Sequence, residues 1–200
     1  KSPDGGVVND IKYSLDDGYW KNVKVTDSFY KKVFKQSKGK NQWIKKQDIS
    51  NALLGYDEKE DKIIFYGAYQ GAAEQARFSG WWKNGIWKDG IFAEGSIWKN
   101  GVWKNGVFKG KTWVNGEFYG GLFAGDVWEK GKFYNGEFVH SKWNNGTWFL
   151  GEFRDSTWQN GVWWKGIFSS SVWQNGTWHD GDFISSVWED GKWIDGQFSS

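Results

Sequence analysis

Two hundred residues with 28 glycines, 18 tryptophans and a single proline, Pro3, fit neither a collagen-like chain nor an ordinary globular one. A net charge of +2 argues against bulk nucleic-acid binding, for which a strongly basic face is usual. The absence of cysteine excludes disulfides and thiolate metal sites, and no run of about 18 apolar residues offers a transmembrane helix. The chain starts at Lys1 and lacks methionine, so it is expected to be processed or a segment of something longer.

Residues 1–79 carry no strict period and are expected to form a small N-terminal cap or connecting domain of mixed structure. β-like runs occur at Tyr19–Val25, Ser28–Phe34 and Lys62–Tyr69, and Gly18–Asn22 resembles one isolated pentad that Val23 breaks. Asp48, followed by Ile49-Ser50-Asn51-Ala52-Leu53-Leu54, has the form of an N-cap opening a short helix. The stretch Lys21–Lys46 holds nine lysines against one acid, Asp27. Such a segment can hold anionic polymers or a membrane surface. Its lack of arginine argues against specific phosphate recognition. Asp57, Glu58, Glu60 and Asp61 balance it, and the favoured reading is a solvated face or a protein-partner contact.

The periodic part spans residues 80–200. From Trp98 to Phe198 every fifth residue is aromatic, twenty-one times in succession. Trp98, Trp113, Trp128, Trp143, Trp158, Trp173 and Trp188 open fifteen-residue units, and Phe108, Phe123, Phe138, Phe153, Phe168, Phe183 and Phe198 close them. Trp82, Trp87 and Phe92 form an earlier unit, with one extra residue between Ala93 and Ser96 that suggests a bulge at a corner. Such a period marks a solenoid, in which each unit buries its apolar face against its neighbours.

Within each pentad, glycine or serine is read two residues before the aromatic, as in Gly146-Thr147-Trp148 and Ser156-Thr157-Trp158. Residues two apart on a strand share a face, so the pair is expected to point inward while the charged flanks Glu117, Lys132, Glu137, Lys142, Glu152 and Asp182 point to solvent. Asn-Gly, Asp-Gly and Lys-Gly pairs then turn the corners. A ten-residue meander would repeat every ten residues, whereas the order Trp, variable, Phe repeats every fifteen. The predicted fold is therefore all-β: a three-sided β-solenoid of about eight 15-residue coils, with Trp98 through Phe198 inward. Three bulky rings must share each layer of about 4.8 Å.

The W-x-N-G-x beat over residues 82–200 looks like the tryptophan-glycine repeats of structural proteins from large bacteriophages and of bacterial surface proteins. It is also similar to pentapeptide-type β-solenoids, which pair a small inward residue with a large one two places on. It departs from these in using Gly with Trp or Phe instead of Ala with Leu or Phe, and in lacking their twenty-residue period. The resemblance implies a structural role in an extracellular or virion setting.

A solenoid turns every position into a column, one copy per coil. After the middle aromatic the outward residue runs Lys88, Lys104, Tyr119, Tyr134, Phe149, Trp164, His179, Ile194. The candidate contact residues are Tyr119, Tyr134, Phe149, Trp164 and His179. An exposed apolar stripe marks an interaction surface, either for another protein subunit or the N-terminal part, or for stacking of sugar rings in a polysaccharide. The column Ile97, Thr112, Val127, Lys142, Thr157, Val172, Val187 suits strands on propensity alone, and Lys142 interrupts any flat threonine ladder for ice binding.

Catalytic, cofactor and metal sites are not expected. His140 and His179 lie on different columns, and Glu137, Glu152 and Asp182 share a column without a second convergent group. No phosphate loop, zinc spacing or nucleophile elbow occurs. Phe198-Ser199-Ser200 ends in register without a polar cap, which predicts continuation of the chain or association through that end. The expected function is a rigid rod or spacer in a larger assembly, a phage virion component or bacterial surface filament. The alternative is a carbohydrate-binding or adhesive module.

Overall fold

The computed structural model describes residues 43–57, 59–68, 72 and 74–200. The runs expected at Tyr19–Val25 and Ser28–Phe34, the pentad at Gly18–Asn22 and the lysine-rich stretch up to residue 42 lie outside the described residues. After a 3-10 turn at Lys46–Asp48 come β1 (Ile49–Ser50), β2 (Ala52–Asp57), β3 (Lys62–Ala68) and β4 (Arg77–Phe78). The strand expected near Lys62–Tyr69 is thus present as β3. The helix expected after Asp48 is not formed. Ala52, Leu53, Leu54 and Gly55 are all buried in β2, which pairs antiparallel with β3. An apolar run buried on both faces is better served by a strand than by a one-sided helix. Asp48 instead accepts the Lys45 N–H at 3.3 Å and ends the 3-10 turn.

The first complete coil is β5 (Trp81–Trp82), β6 (Ile86–Trp87) and β7 (Ile91–Phe92). Seven further coils repeat it, each strand pairing in parallel with its counterpart one coil away. Thr157–Trp158, Val162–Trp163 and Ile167–Ser169 pair with Val172–Trp173, Thr177–Trp178 and Asp182–Ile184. The result is three sheets: a first face of eight strands carrying the all-Trp column, and second and third faces of ten strands each. The extra residue after Phe92 loops out at Glu94 and Gly95, where the Ser96 N–H returns to the Ala93 carbonyl. The hairpin β2–β3 joins the second face through β3 and β6, and β1 and β4 join the third, so the third face begins at Ile49 and the second at Ala52, while the first begins at Trp81.

Most strands are two residues long because each pentad spends its other residues on a corner. One strand residue faces out and the aromatic faces in. The ladder between coils fastens each strand on both sides of the ring: the Val162 N–H donates to the Gly146 carbonyl and the Trp164 N–H to the Trp148 carbonyl, each at 2.9 Å.

The ring volume is accommodated by two geometries at once. Within a coil the three rings meet edge to face, as in Trp158–Trp163 at 5.8 Å and 79°. Between coils they stack nearly parallel: Trp143–Trp158 at 4.7 Å, Trp148–Trp163 at 4.8 Å and Phe153–Phe168 at 4.8 Å. Both are favourable arrangements of the ring quadrupole. The rings from Trp82 through Phe183 are buried. Trp188 and Trp193, though half-buried, keep their inward columns, stacking on Trp173 and Trp178 at 5.0 Å. The expectation of an inward ring fails only at Phe198, which is 61% exposed and tilts 58° against Phe183.

The corners are of two kinds. Before the second- and third-face strands stands a glycine with positive φ, such as Gly161 at 130°. A Cβ there would run into the Gly146 carbonyl oxygen and then the Trp158 ring edge, so the glycines are needed first for backbone-to-backbone stacking and second for ring space. Before the first face, Lys111 and Asp126 depart from the small-residue rule, and Gly110 and Gly125 stand one place earlier. In the later coils Ser141, Ser156, Ser171 and Ser186 take that corner, and the left-handed residue is the one preceding: His140, Asp155, Ser170 and Ser185, with φ of 45–51°. Each of these seryl hydroxyls donates to the carbonyl two residues back. The hydroxyls of Ser156, Ser171 and Ser186 also accept the N–H of the serine one coil earlier, at 3.0–3.1 Å.

Candidate functional site

The outward ladder follows from strand alternation: the residue after each buried second-face ring must point away from it. Tyr119 and Tyr134 stack at 4.5 Å, and Tyr134 and Phe149 at 4.8 Å. Trp164 and His179 stack at 4.0 Å. No ring contact joins Phe149 to Trp164 among the described residues, so the stripe is two short stacks rather than one. Its N-terminal end is closed by Lys104, whose Nζ lies 3.5 Å from the Tyr119 ring centroid. Ring faces inside each stack are covered by neighbouring rings, and ring edges meet solvent.

The Tyr119 hydroxyl donates to the Glu117 carboxylate at 3.0 Å. That bond, followed by burial and the Glu117 charge, pushes the phenol up to about 12. One coil along, Lys132 lies 3.8 Å from Glu117. At the other end Lys165 meets Asp180 at 2.9 Å. The bond to Lys165, and then the Gly181 N–H, hold the Asp180 carboxyl below its usual range, while Lys165 is raised by the same contact. These charged neighbours frame the rings rather than converge on them.

A chain this regular invites comparison with known repeats. No family model, curated protein or solved structure matches it.

The remaining sequence candidates resolve as follows. Glu137 and Glu152 are neighbours in register, but Ile167 separates them from Asp182. Arg154 neutralises the pair, with contacts of 3.3 Å to Glu137 and 3.7 Å to Glu152, and a third of 3.5 Å to Asp155. No group of three metal-ligating side chains occurs among the described residues, and none of their helices is long and apolar enough to cross a membrane. His140 serves as a left-handed corner, and His179 stacks on Trp164.

Sequence reasoning missed three surface features. Trp81 is 58% exposed at the head of the Ile97 column, with the Lys99 Nζ 5.4 Å from its ring. Leu150 and Ile167 are exposed and line one shallow depression together with Lys165 and Asp180. Asn84, Asn100 and Asn115 line a groove of about 630 Å³ beside the second face. A signal exists for the last: the Asn-Gly corners at Asn84, Asn100 and Asn115 recur on one column.

Proposed function

We propose that this chain is a structural rod or spacer in a larger assembly, held laterally through the stripe around Tyr119, Tyr134, Phe149 and Trp164. The observation that carries this reading is the continuous three-column aromatic core. From the first coil to the seventh, each is fixed to the next by three stacked ring pairs and by parallel backbone ladders on all three faces, and two stacked pairs hold the eighth, a construction that transmits length and stiffness. The outward charges support it, because Lys132, Arg154 and Lys165 pair with acids along the surface instead of converging on a reacting centre. The setting we assign, a phage virion component or bacterial surface filament, rests on the resemblance of the repeat.

Lateral docking is favoured over sugar stacking on the ladder because the faces inside each stack cover one another, Lys104 closes the Tyr119 end, and the run of rings that a polysaccharide would follow is interrupted between Phe149 and Trp164. The combined replacement of Tyr119, Tyr134, Phe149 and Trp164 by alanine tests the reading. It should change the assembly state in sedimentation and sizing measurements while the melting temperature stays within a few degrees of the parent. Unchanged assembly together with loss of glycan binding would instead establish the adhesive module.

A further inference from the structure

The groove beside the second face has walls of distinct chemistry. Asn84, Asn100 and Asn115 line it at the corner, Val102, Glu117, Lys132 and Thr147 on the sheet surface, and Lys62, which pairs with Glu60 at 3.4 Å, completes the lining. The Asn84 Oδ1 accepts the N–H of Gly85 at 2.9 Å, which leaves its Nδ2 hydrogens for another acceptor. Asn115 Nδ2 reaches Asn100 Oδ1 at 3.4 Å, so these amides lean on each other rather than on their own turns. From the layer of Asn84 to that of Thr147 is four coil intervals, about 19 Å.

We propose that this groove binds an extended, uncharged polysaccharide chain lying along the solenoid axis, a function beyond the structural role above. Three arguments select the ligand. The N–H groups of Glu117, Lys132 and Thr147 already donate to the Gly101, Gly116 and Gly131 carbonyls at 2.9–3.0 Å, so these strands of the groove offer no free N–H row to which a peptide could add itself. A nucleic acid would need a run of cations, whereas the two lysines of the groove are each engaged by an acid, Lys132 by Glu117 in its middle and Lys62 by Glu60. What the groove offers is side-chain amides recurring at the coil spacing, a hydroxyl, the Val102 side chain and two lysines that each pair with an acid, Lys132 with Glu117 and Lys62 with Glu60. Amides donate and accept together, matching sugar hydroxyls, which do the same. Repetition along the axis lets several weak contacts act on one chain.

Titration of the whole chain with cellohexaose, xylohexaose, chitohexaose and hexagalacturonate, by calorimetry, tests the proposal. At least one of the three neutral oligomers should bind, with an affinity little changed between low and high salt. The double variant Asn100→Ala/Asn115→Ala should weaken that binding at least tenfold with an unaltered melting curve. Val102→Trp, which fills the groove from the sheet surface, should abolish it, providing a second readout if the double variant is unstable. Absence of binding by the three neutral oligomers at millimolar concentration would overturn the proposal. So would neutral-oligomer binding that survives both variants, binding lost on alanine substitution at Tyr134 and Phe149 instead, or binding confined to hexagalacturonate with steep salt dependence. The assembly state of the parent, measured separately, bears on the rod reading alone.

Discussion

At the scale of single residues, two kinds of position govern the coil. The corner glycines stack backbone on backbone, so Gly161→Ala is expected to cost roughly 3 kcal/mol: the methyl meets the Gly146 carbonyl at a φ that side chains rarely adopt. Chemical denaturation against the parent measures this, and an unchanged midpoint would refute the corner geometry. The indoles differ from coil to coil. Trp158 Nε1 donates to the Asn175 carbonyl at 3.1 Å, whereas Trp113 Nε1 is buried without an acceptor. Both substitutions to phenylalanine lose ring area, but Trp158→Phe also strands a carbonyl while Trp113→Phe removes an unpaired donor. Trp113→Phe should therefore be the milder by about 1 kcal/mol. Equal losses in the two variants would show that the indole hydrogen bonds contribute nothing.

At the scale of elements, the serine corner is a unit with its own hydrogen-bond chain. Ser156→Ala removes the acceptor of the buried Ser141 N–H, and is expected to lower stability by about 1–3 kcal/mol although the lost group is one hydroxyl. Thermal melting checks the loss. Hydrogen exchange should locate it, with the Ser141 amide the first to lose protection. How far these elements could be read from the chain depends on what fixes them. The faces were legible because a buried ring every fifth residue has no other way to face inward, and the Trp-to-Phe order fixed three sides rather than two. The Asp48 region was not, because a capping residue followed by Ala52-Leu53-Leu54 has the same local pattern whether it opens a helix or leads into a buried strand. Its partner β3 decides, and that partner is a tertiary contact. The outward ladder was legible as a column. Its division between Phe149 and Trp164 was not, because side-chain orientation on a surface is not set by register. The asparagine groove was hidden for a related reason: Asn-Gly already has a sufficient local purpose.

At the scale of the whole molecule, the repeating unit is the fifteen-residue coil and not the pentad, although the pentad is the more conspicuous period. Each coil meets its two neighbours, so stability is a sum of coil and interface contributions. Deleting residues 144–158 joins Trp143 to Gln159 and leaves every later ring on its own face, with serine corners on serine corners. Deleting residues 144–148 also keeps an aromatic at every fifth place, but rotates all later coils by one face. Ser156 would then stand over Gly136, where the Cβ of a side chain at the present Gly151 position would strike the Gly136 carbonyl. The left-handed Asp155 would fall at a corner whose neighbour is built for glycine. The fifteen-residue deletion is therefore expected to melt cooperatively within several degrees of the parent and to retain the near-ultraviolet circular dichroism of stacked indoles. The five-residue deletion should lose both cooperativity and that signal. If the two deletions behave alike, the pentads are interchangeable, the distinction between corners carries no energy, and the three faces are set by ring spacing alone.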